Sequence, residues 1–440
     1  MKRGFPPIRR RDFLSAATAA TVPYLIPAGV LAGAGNPGAS QRLTLAHIGL
    51  GGMGRTDLDN MLQFRRSGQV DIAAVCEADS KRLAAAAQVV GDRCQTYRDY
   101  RQVLHRRDID AVVIATPDHW HAVQTVHACQ SGKHVYVEKP ASCTVAEGQA
   151  MVAAARKHRR VVQVGSQGRS AEPAHQVCTY IRNGMLGRVS KVTCWHTPNP
   201  TGGNGSPSLA PAELDWDLWL GPLRWRPYVA GAYHPGNFRW IMESGGGVIR
   251  DRGAHVMSVV LWCLDADRQA PVSIKATGSP RPHGIWDCPP LMKVVYTFKD
   301  PDWELIWKQP GDVRGAGGFG MVFHGEKETL PVCRDGTRIP AAEHVRNFKV
   351  PAGGMEVYRM AKHADYNMNH KEDWLQAIRG GKKPCMDIEI AHHVANLCNL
   401  GNLSYILGQE LTWDGGKEKF VGNEQADGML GRPQRNPYHL

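Results

Sequence analysis

Beyond its first 40 residues this chain of 440 has no stretch approaching ~18 consecutive apolar residues, so a bundle of membrane-spanning helices is excluded. Its 11 cysteines, at positions 76, 94, 129, 143, 178, 194, 263, 288, 333, 385 and 398, are odd in number and include no C-x-x-C pair. Neither a zinc ribbon nor a disulfide framework is therefore expected. The formal charge of +12 is not gathered into a Lys/Arg run or a basic stripe interleaved with aromatics, which argues against a nucleic-acid partner. No internal repeat marks a solenoid. Nor is the chain poor enough in apolar residues to be disordered: 42% are hydrophobic and 21% charged, ordinary usage for a folded protein. At ~150 residues per domain, the length suggests two or three domains.

The first 40 residues read as an address. Arg10-Arg11-Asp12-Phe13-Leu14 precedes an Ala-rich, weakly apolar stretch and then Ala32-Gly33-Ala34, the pattern of a twin-arginine export signal. Engagement of the Tat machinery, leader removal, no stable membrane insertion afterwards and a periplasmic or otherwise exported location are expected. Without this segment 48 cations face 40 acids, an excess of eight. Because that route carries folded proteins, a tightly held cofactor is also expected.

From Leu43 the text alternates short apolar runs with segments of helical period: strands at Leu43–Ile48, Val70–Cys76, Ala111–Ala115, His134–Val137 and Val161–Gly165, with helices between. Such alternation builds a doubly wound parallel sheet over residues 41–166. Residues 167–440 change texture, with longer strands at Arg188–His196, Val272–Gly278, Leu291–Phe298, Trp303–Lys308 and Gly318–His324. An α+β domain with a large, mostly antiparallel sheet is expected there, backed by late helices at Met368–Arg379 and Ile388–Leu407.

Gly49-Leu50-Gly51-Gly52-Met53-Gly54 fits G-x-G-x-x-G, follows an apolar strand and opens a helix, the context in which glycines admit a dinucleotide pyrophosphate to a helix N-terminus. Glu77, 23 residues after Gly54, stands where a carboxylate holds ribose hydroxyls and repels a 2'-phosphate, favouring NAD over NADP. Asp79 is a second candidate, while Lys81 and Arg82 keep NADP in play. His119 and His121, spaced i and i+2 without a cysteine and carboxylate set, do not form a metal pair, and no metal is expected.

The stretch Ala115-Thr116-Pro117-Asp118-His119-Trp120-His121, followed by Gly132 to Val137 and Glu138-Lys139-Pro140, closely resembles the glucose-fructose oxidoreductase and inositol dehydrogenase (Gfo/Idh/MocA) family. Asp217 to Pro222 and Leu411 to Asp414 extend the likeness, and its exported branch is the best match. The resemblance implies a Rossmann domain, a nicotinamide cofactor, a carbohydrate substrate and a homodimer or homotetramer. It implies that Lys139, Asp251 and His255, the latter two in Gly245-Gly246-Gly247-Val248-Ile249-Arg250-Asp251-Arg252-Gly253-Ala254-His255, form the catalytic trio. Thr116, Pro117, His119, His121 and Glu138 are placed by the cofactor, Gln167 by cofactor or sugar, and Arg169, Arg239 and Trp240 by substrate. If the segment is helical, Asp251 and His255 share one face. Physically, an ammonium favours a developing alkoxide and a neutral His accepts the hydroxyl proton.

Ser258 departs from the family, where many relatives carry an acid, and Arg250 and Arg252 flank Asp251 where small or apolar residues are commoner. Either Arg dampens the acidity of Asp251 or binds an acidic substrate. The function implied is hydride transfer at a hydroxyl or carbonyl of a sugar, glycoside or polyol. The alternative is an NAD-dependent glycosidase or lyase acting through a transient keto-sugar, for which Tyr180, Tyr228, Tyr233 and His234 are candidate extra acid/base groups. A carbohydrate binder without turnover is disfavoured by the intact trio.

Overall fold

Six of the strands line up as one parallel sheet. The computed structural model describes residues 42–311, 318–334, 342–357 and 362–440, so the expected leader lies outside the described residues. The first part runs β1 (Leu43–Ile48), α1 (Gly52–Arg66), β2 (Val70–Cys76), α2 (Ser80–Val90), β3 (Gln95–Tyr97), α3 (Tyr100–Leu104), β4 (Ala111–Ile114), α4 (His121–Gln130), β5 (His134–Glu138), α5 (Val145–Lys157) and β6 (Val162–Gly165). Sheet order is β3-β2-β1-β4-β5-β6, every neighbouring pair parallel. All four residues of β4 are buried, as a strand covered by helices on both faces requires. The order reverses between β1 and β4, and a doubly wound sheet opens its ligand crevice at the carboxyl ends of such a pair.

The second part contains α6 (Glu172–Arg182), β7 (Val189–His196), α7 (Trp216–Leu220), α8 (Val248–Asp251), α9 (Gly253–Cys263), β8 (Ser273–Gly278), β9 (Met292–Phe298), β10 (Trp303–Gln309), β11 (Phe319–Gly325), β12 (Thr329–Arg334), α10 (Glu343–Arg346), α11 (Tyr366–Gly380), α12 (Ile388–Leu407), β13 (Leu411–Asp414) and β14 (Lys419–Phe420). Its eight strands are ordered β12-β11-β7-β10-β9-β8-β13-β14, antiparallel throughout except for the parallel β7–β10 pair. Strict alternation of burial along β9 and β10 puts one face of this sheet against a helical layer. The chain is thus a Rossmann domain followed by a domain built on a large, mostly antiparallel sheet. Among the described residues no helix is long and apolar enough to cross a membrane.

The two late helices diverge. α12 packs on the second sheet, with the Ser404 hydroxyl accepting from the Ala276 N–H at 2.9 Å. It also presses on α5, since a side chain at Gly148 would collide with His392. α11, expected beside it, docks on the parallel sheet instead, where Trp374 and Leu375 join the core of Leu45, Leu58 and Val113. Fully buried Lys371 of α11 meets Asp57 of α1 at 2.8 Å. Helical periodicity identifies the face that must be buried, not the sheet that buries it.

Candidate active site

β1 ends in a turn that only glycine can make. Gly49 sits at φ +88°, and a Cβ there would stand 2.7 Å from the backbone of Ala115 and Thr116 beyond β4. At Gly54 a Cβ would lie 2.1 Å from the Gly49 carbonyl oxygen, so α1 rests directly on the turn. Beside Gly52 nothing lies within 4 Å, and this open side belongs to a cavity of about 590 Å³. α1 begins at Gly52, within the glycine motif itself, and carries no acid in its first turn. Its exposed N–H groups and positive dipole end suit an anion.

Glu77 follows β2 in the cavity wall. One carboxylate oxygen accepts the Leu50 N–H at 2.7 Å and the other the Asp79 N–H at 3.2 Å, bracing the glycine turn. Burial raises its pKa, against the backbone donors and Arg82 that lower it. A carboxylate offers about four acceptor positions, so these backbone donors do not exhaust it. Arg82 and Arg98 line the same end.

At the other end of the cavity, the Lys139 Nζ that follows β5 lies 2.6 Å from Asp251 Oδ1 and donates to the Asp251 carbonyl at 3.0 Å. Arg239 Nε is 3.3 Å from Asp251 Oδ1, and Arg252 Nε is 3.2 Å from Oδ2. Burial alone would raise the Asp251 pKa, but Lys139, Arg239 and Arg252 outweigh it and hold the carboxyl far below the usual range. His255 opens onto the same space. The helix breaks at Arg252, so Asp251 ends α8 and His255 lies in α9. They converge across that break rather than along one continuous helix.

The glycine turn, the Glu77 carboxylate and the lysine–aspartate–histidine cluster share one crevice at the β1/β4 switch point. A model of the family "Oxidoreductase family, NAD-binding Rossmann fold" (GFO_IDH_MocA) matches residues 43–166, and that of its C-terminal alpha/beta domain matches residues 173–440. This chain belongs to the Gfo/Idh/MocA oxidoreductase family.

Within that family's fold, the WlbA dehydrogenase of Bordetella pertussis, solved with NADH and UDP-GlcNAcA, aligns at a TM-score of 0.64 and 17% identity, over 85% of this chain and 99% of that one. Levoglucosan dehydrogenase, solved with NADH and levoglucosan, aligns at 0.63 and 18% identity, over 85% and 100%. At such identities the likeness is one of fold. In sequence, the Glycosyl hydrolase family 109 protein 1 of Shewanella sp. (strain MR-4) is 26% identical over 204 residues, 41% of this chain and 44% of that protein. The Uncharacterized oxidoreductase YrbE of Bacillus subtilis (strain 168) is 30% identical over 148 residues, 34% and 42%. The chain spans less than half the length of these relatives.

Of the residues singled out from the family's pattern, Gly49, Gly51, Gly52, Met53, Glu77, Thr116, Pro117, His121, Glu138, Lys139, Gln167, Arg239, Trp240, Asp251 and His255 line the cavity. Leu50 and Gly54 shape the turn from behind. His121 spans two loops, its ring nitrogens 2.7 Å from the Pro140 carbonyl and 2.9 Å from that of Thr116. Glu138 accepts from the Gln167 amide at 2.6 Å, and burial pushes its pKa up to about 8.

Several of the residues singled out lie elsewhere. His119 turns away from the cavity to the Trp219 carbonyl at 3.0 Å, and burial pushes its pKa down to about 3, so it ties its loop to α7. Arg169 is buried away from this cavity wall, ion-paired with Asp267 and donating to the Ser258 carbonyl at 2.7 Å. Asp79 caps α2, accepting from the Lys81 and Arg82 N–H groups, rather than facing ribose. Arg250 is likewise interior, bound to Asn399 at 3.0 Å and to the Cys143 carbonyl at 3.0 Å. Tyr180, Tyr228, Tyr233 and His234 lie outside the cavity wall.

One group in the wall was missed. Asp118, 5% exposed, has a carboxylate oxygen with no hydrogen-bond partner and a pKa raised by burial. Its place between Pro117 and His119 in the family-like stretch was the available signal, but only the fold aims it inward while its neighbour turns out.

Proposed function

We propose that this protein is an exported NAD-dependent oxidoreductase that transfers hydride at a carbon bearing a hydroxyl on a sugar, glycoside or polyol, with its cofactor tightly held. The observation that carries the reading is the 2.6 Å contact between Lys139 and Asp251 in the crevice that starts at the glycine turn. The residues present fit a nicotinamide dinucleotide: the N-terminus of α1 for the pyrophosphate, Glu77 for ribose hydroxyls, and Thr116 and Pro117 farther along the wall. When bound, the dinucleotide supplies the hydride acceptor.

The chain's own residues manage the proton. The Lys139 ammonium stabilises negative charge on the substrate oxygen as it develops. His255 accepts the hydroxyl proton, and Asp251 holds Lys139 in place through both its carboxylate and its carbonyl. Export rests on the Arg10-Arg11 leader pattern. A retained cofactor suits such a destination, where free dinucleotide is scarce, and implies reoxidation in place by a second carbonyl substrate.

A second reading, redox-neutral glycoside cleavage through a transient keto-sugar, gains from Asp118, a buried cavity carboxyl biased toward its protonated form that can serve as the extra acid. Acid denaturation of the purified protein followed by mass analysis of released dinucleotide tests the cofactor. Stoichiometric NAD(H) with sugar-dependent absorbance change supports the first reading, whereas aryl-glycoside cleavage without net change of cofactor redox state supports the second. A protein that neither retains nor binds dinucleotide refutes both.

A further inference from the structure

The reaction end of the cavity holds more positive charge than its own residues neutralise. Lys139, Arg239 and Arg252 surround the single carboxylate of Asp251. Asp118 and Glu138, the other carboxyls at this end of the wall, offset further charge only when ionised, and burial opposes that in both. Arg239 donates Nε to Asp251 and Arg252 rests with Nε 3.2 Å from it, which leaves the terminal nitrogens of their planar forks for other work. Among the described residues, no side chain or carbonyl accepts a hydrogen bond from the terminal nitrogens of Arg252, and its side chain is 42% exposed although it lines the cavity. Arg239 spends one terminal nitrogen on the Gly236 carbonyl at 3.1 Å. A positively charged nicotinamide ring brought to this end would meet further like charge.

We propose that the substrate is a sugar acid, whose carboxylate is received by the terminal nitrogens of Arg252, assisted by Arg239, beside the hydroxyl carbon that faces Lys139 and His255. This rests on the oxidoreductase reading and narrows its substrate class. A guanidinium whose Nε side is already held against a carboxylate turns its terminal nitrogens outward as a fork, the donor geometry that matches a second carboxylate. Asp251 then has a second task, holding the two guanidinium groups in register.

The test is calorimetric binding to the cofactor-loaded holoenzyme of matched pairs: methyl glucoside against methyl glucuronide, and methyl galactoside against methyl galacturonide, with the corresponding 6-phosphates as a third arm. At least one uronide should bind about tenfold tighter than its neutral partner, the preference shrinking with salt. Arg252→Gln should collapse that ratio toward one and Arg252→Lys should restore part of it. Equal affinity within every pair, a stronger preference for the phosphates, or a ratio unchanged in Arg252→Gln overturns the proposal. Uronide preference without hydride transfer to any sugar would instead uphold the anion site and sink the oxidoreductase reading, so the two failures are separable.

Discussion

Lys139 grips Asp251 twice, through the carboxylate at 2.6 Å and through the backbone carbonyl at 3.0 Å, joining the end of β5 to the end of α8. The contact ties the parallel sheet to a helix of the second domain at the point where chemistry is expected. Lys139→Met removes the charge that steadies the substrate oxygen while leaving the glycine turn untouched. Turnover should fall by about 10²- to 10⁴-fold with dinucleotide still bound, read by single-turnover absorbance alongside cofactor content. Loss of cofactor in parallel with activity would show that Lys139 holds the dinucleotide rather than the reaction.

Two glycines of one turn should respond in opposite ways. Gly49→Ala forces a side chain into a left-handed backbone and against Ala115, so it should lower the melting temperature and the yield of folded protein. Gly52→Ala meets no protein atom within 4 Å and should melt with the wild type, yet weaken dinucleotide binding because the methyl enters the cavity. Thermal melts and equilibrium binding of NADH distinguish the cases. Unchanged affinity in Gly52→Ala would place the pyrophosphate elsewhere.

The parallel sheet and its turn were legible because each depends on neighbours in sequence. Apolar runs and helical periods within a few residues define β1, β2, β4 and β5, and the glycine spacing defines the bend after β1. What could not be read depends on distant partners. α11 looks like any amphipathic helix until Lys371 is seen against Asp57. The i and i+2 spacing of His119 and His121 says nothing of the Trp219 carbonyl that draws one of them away. Arg169 resembles a pocket cation in text, but Asp267 claims it first. Asp118 was overlooked for the converse reason: its importance lies in a missing partner, and no sequence displays that.

The Lys371–Asp57 pair tests how α11 is held to the nucleotide-binding sheet. Both side chains are fully buried, and their 2.8 Å approach lacks hydrogen-bond alignment, so the attraction is chiefly one of charge. Replacing one partner strands the other in an apolar setting, at a cost of roughly 3–5 kcal/mol. Lys371→Met should therefore unfold at markedly lower urea than the wild type. Lys371→Met combined with Asp57→Leu should recover most of the loss, because no buried charge remains. A double variant no more stable than the single one would assign the cost to packing over the Tyr136 ring instead.

Glu138 makes a pH prediction with a definite sign. Burial, reinforced by the nearby Asp57 carboxylate, raises its folded pKa to about 8, whereas in the unfolded chain a glutamate titrates near ~4.3. The native state thus keeps a proton that the unfolded state gives up. Glu138 favours folding below the unfolded value, and that contribution drains away as pH rises from about 4.3 toward about 8. Glu138→Gln carries a permanently neutral group of the same shape and still offers an oxygen to the Gln167 amide. Its stability relative to wild type should therefore grow steadily between pH 5 and roughly pH 8, measured as the difference in urea midpoint for cofactor-free protein across that window. A constant difference would mean that Glu138 is ionised in the folded protein throughout, with Lys139 and Lys371 supplying the compensation that burial here outweighs.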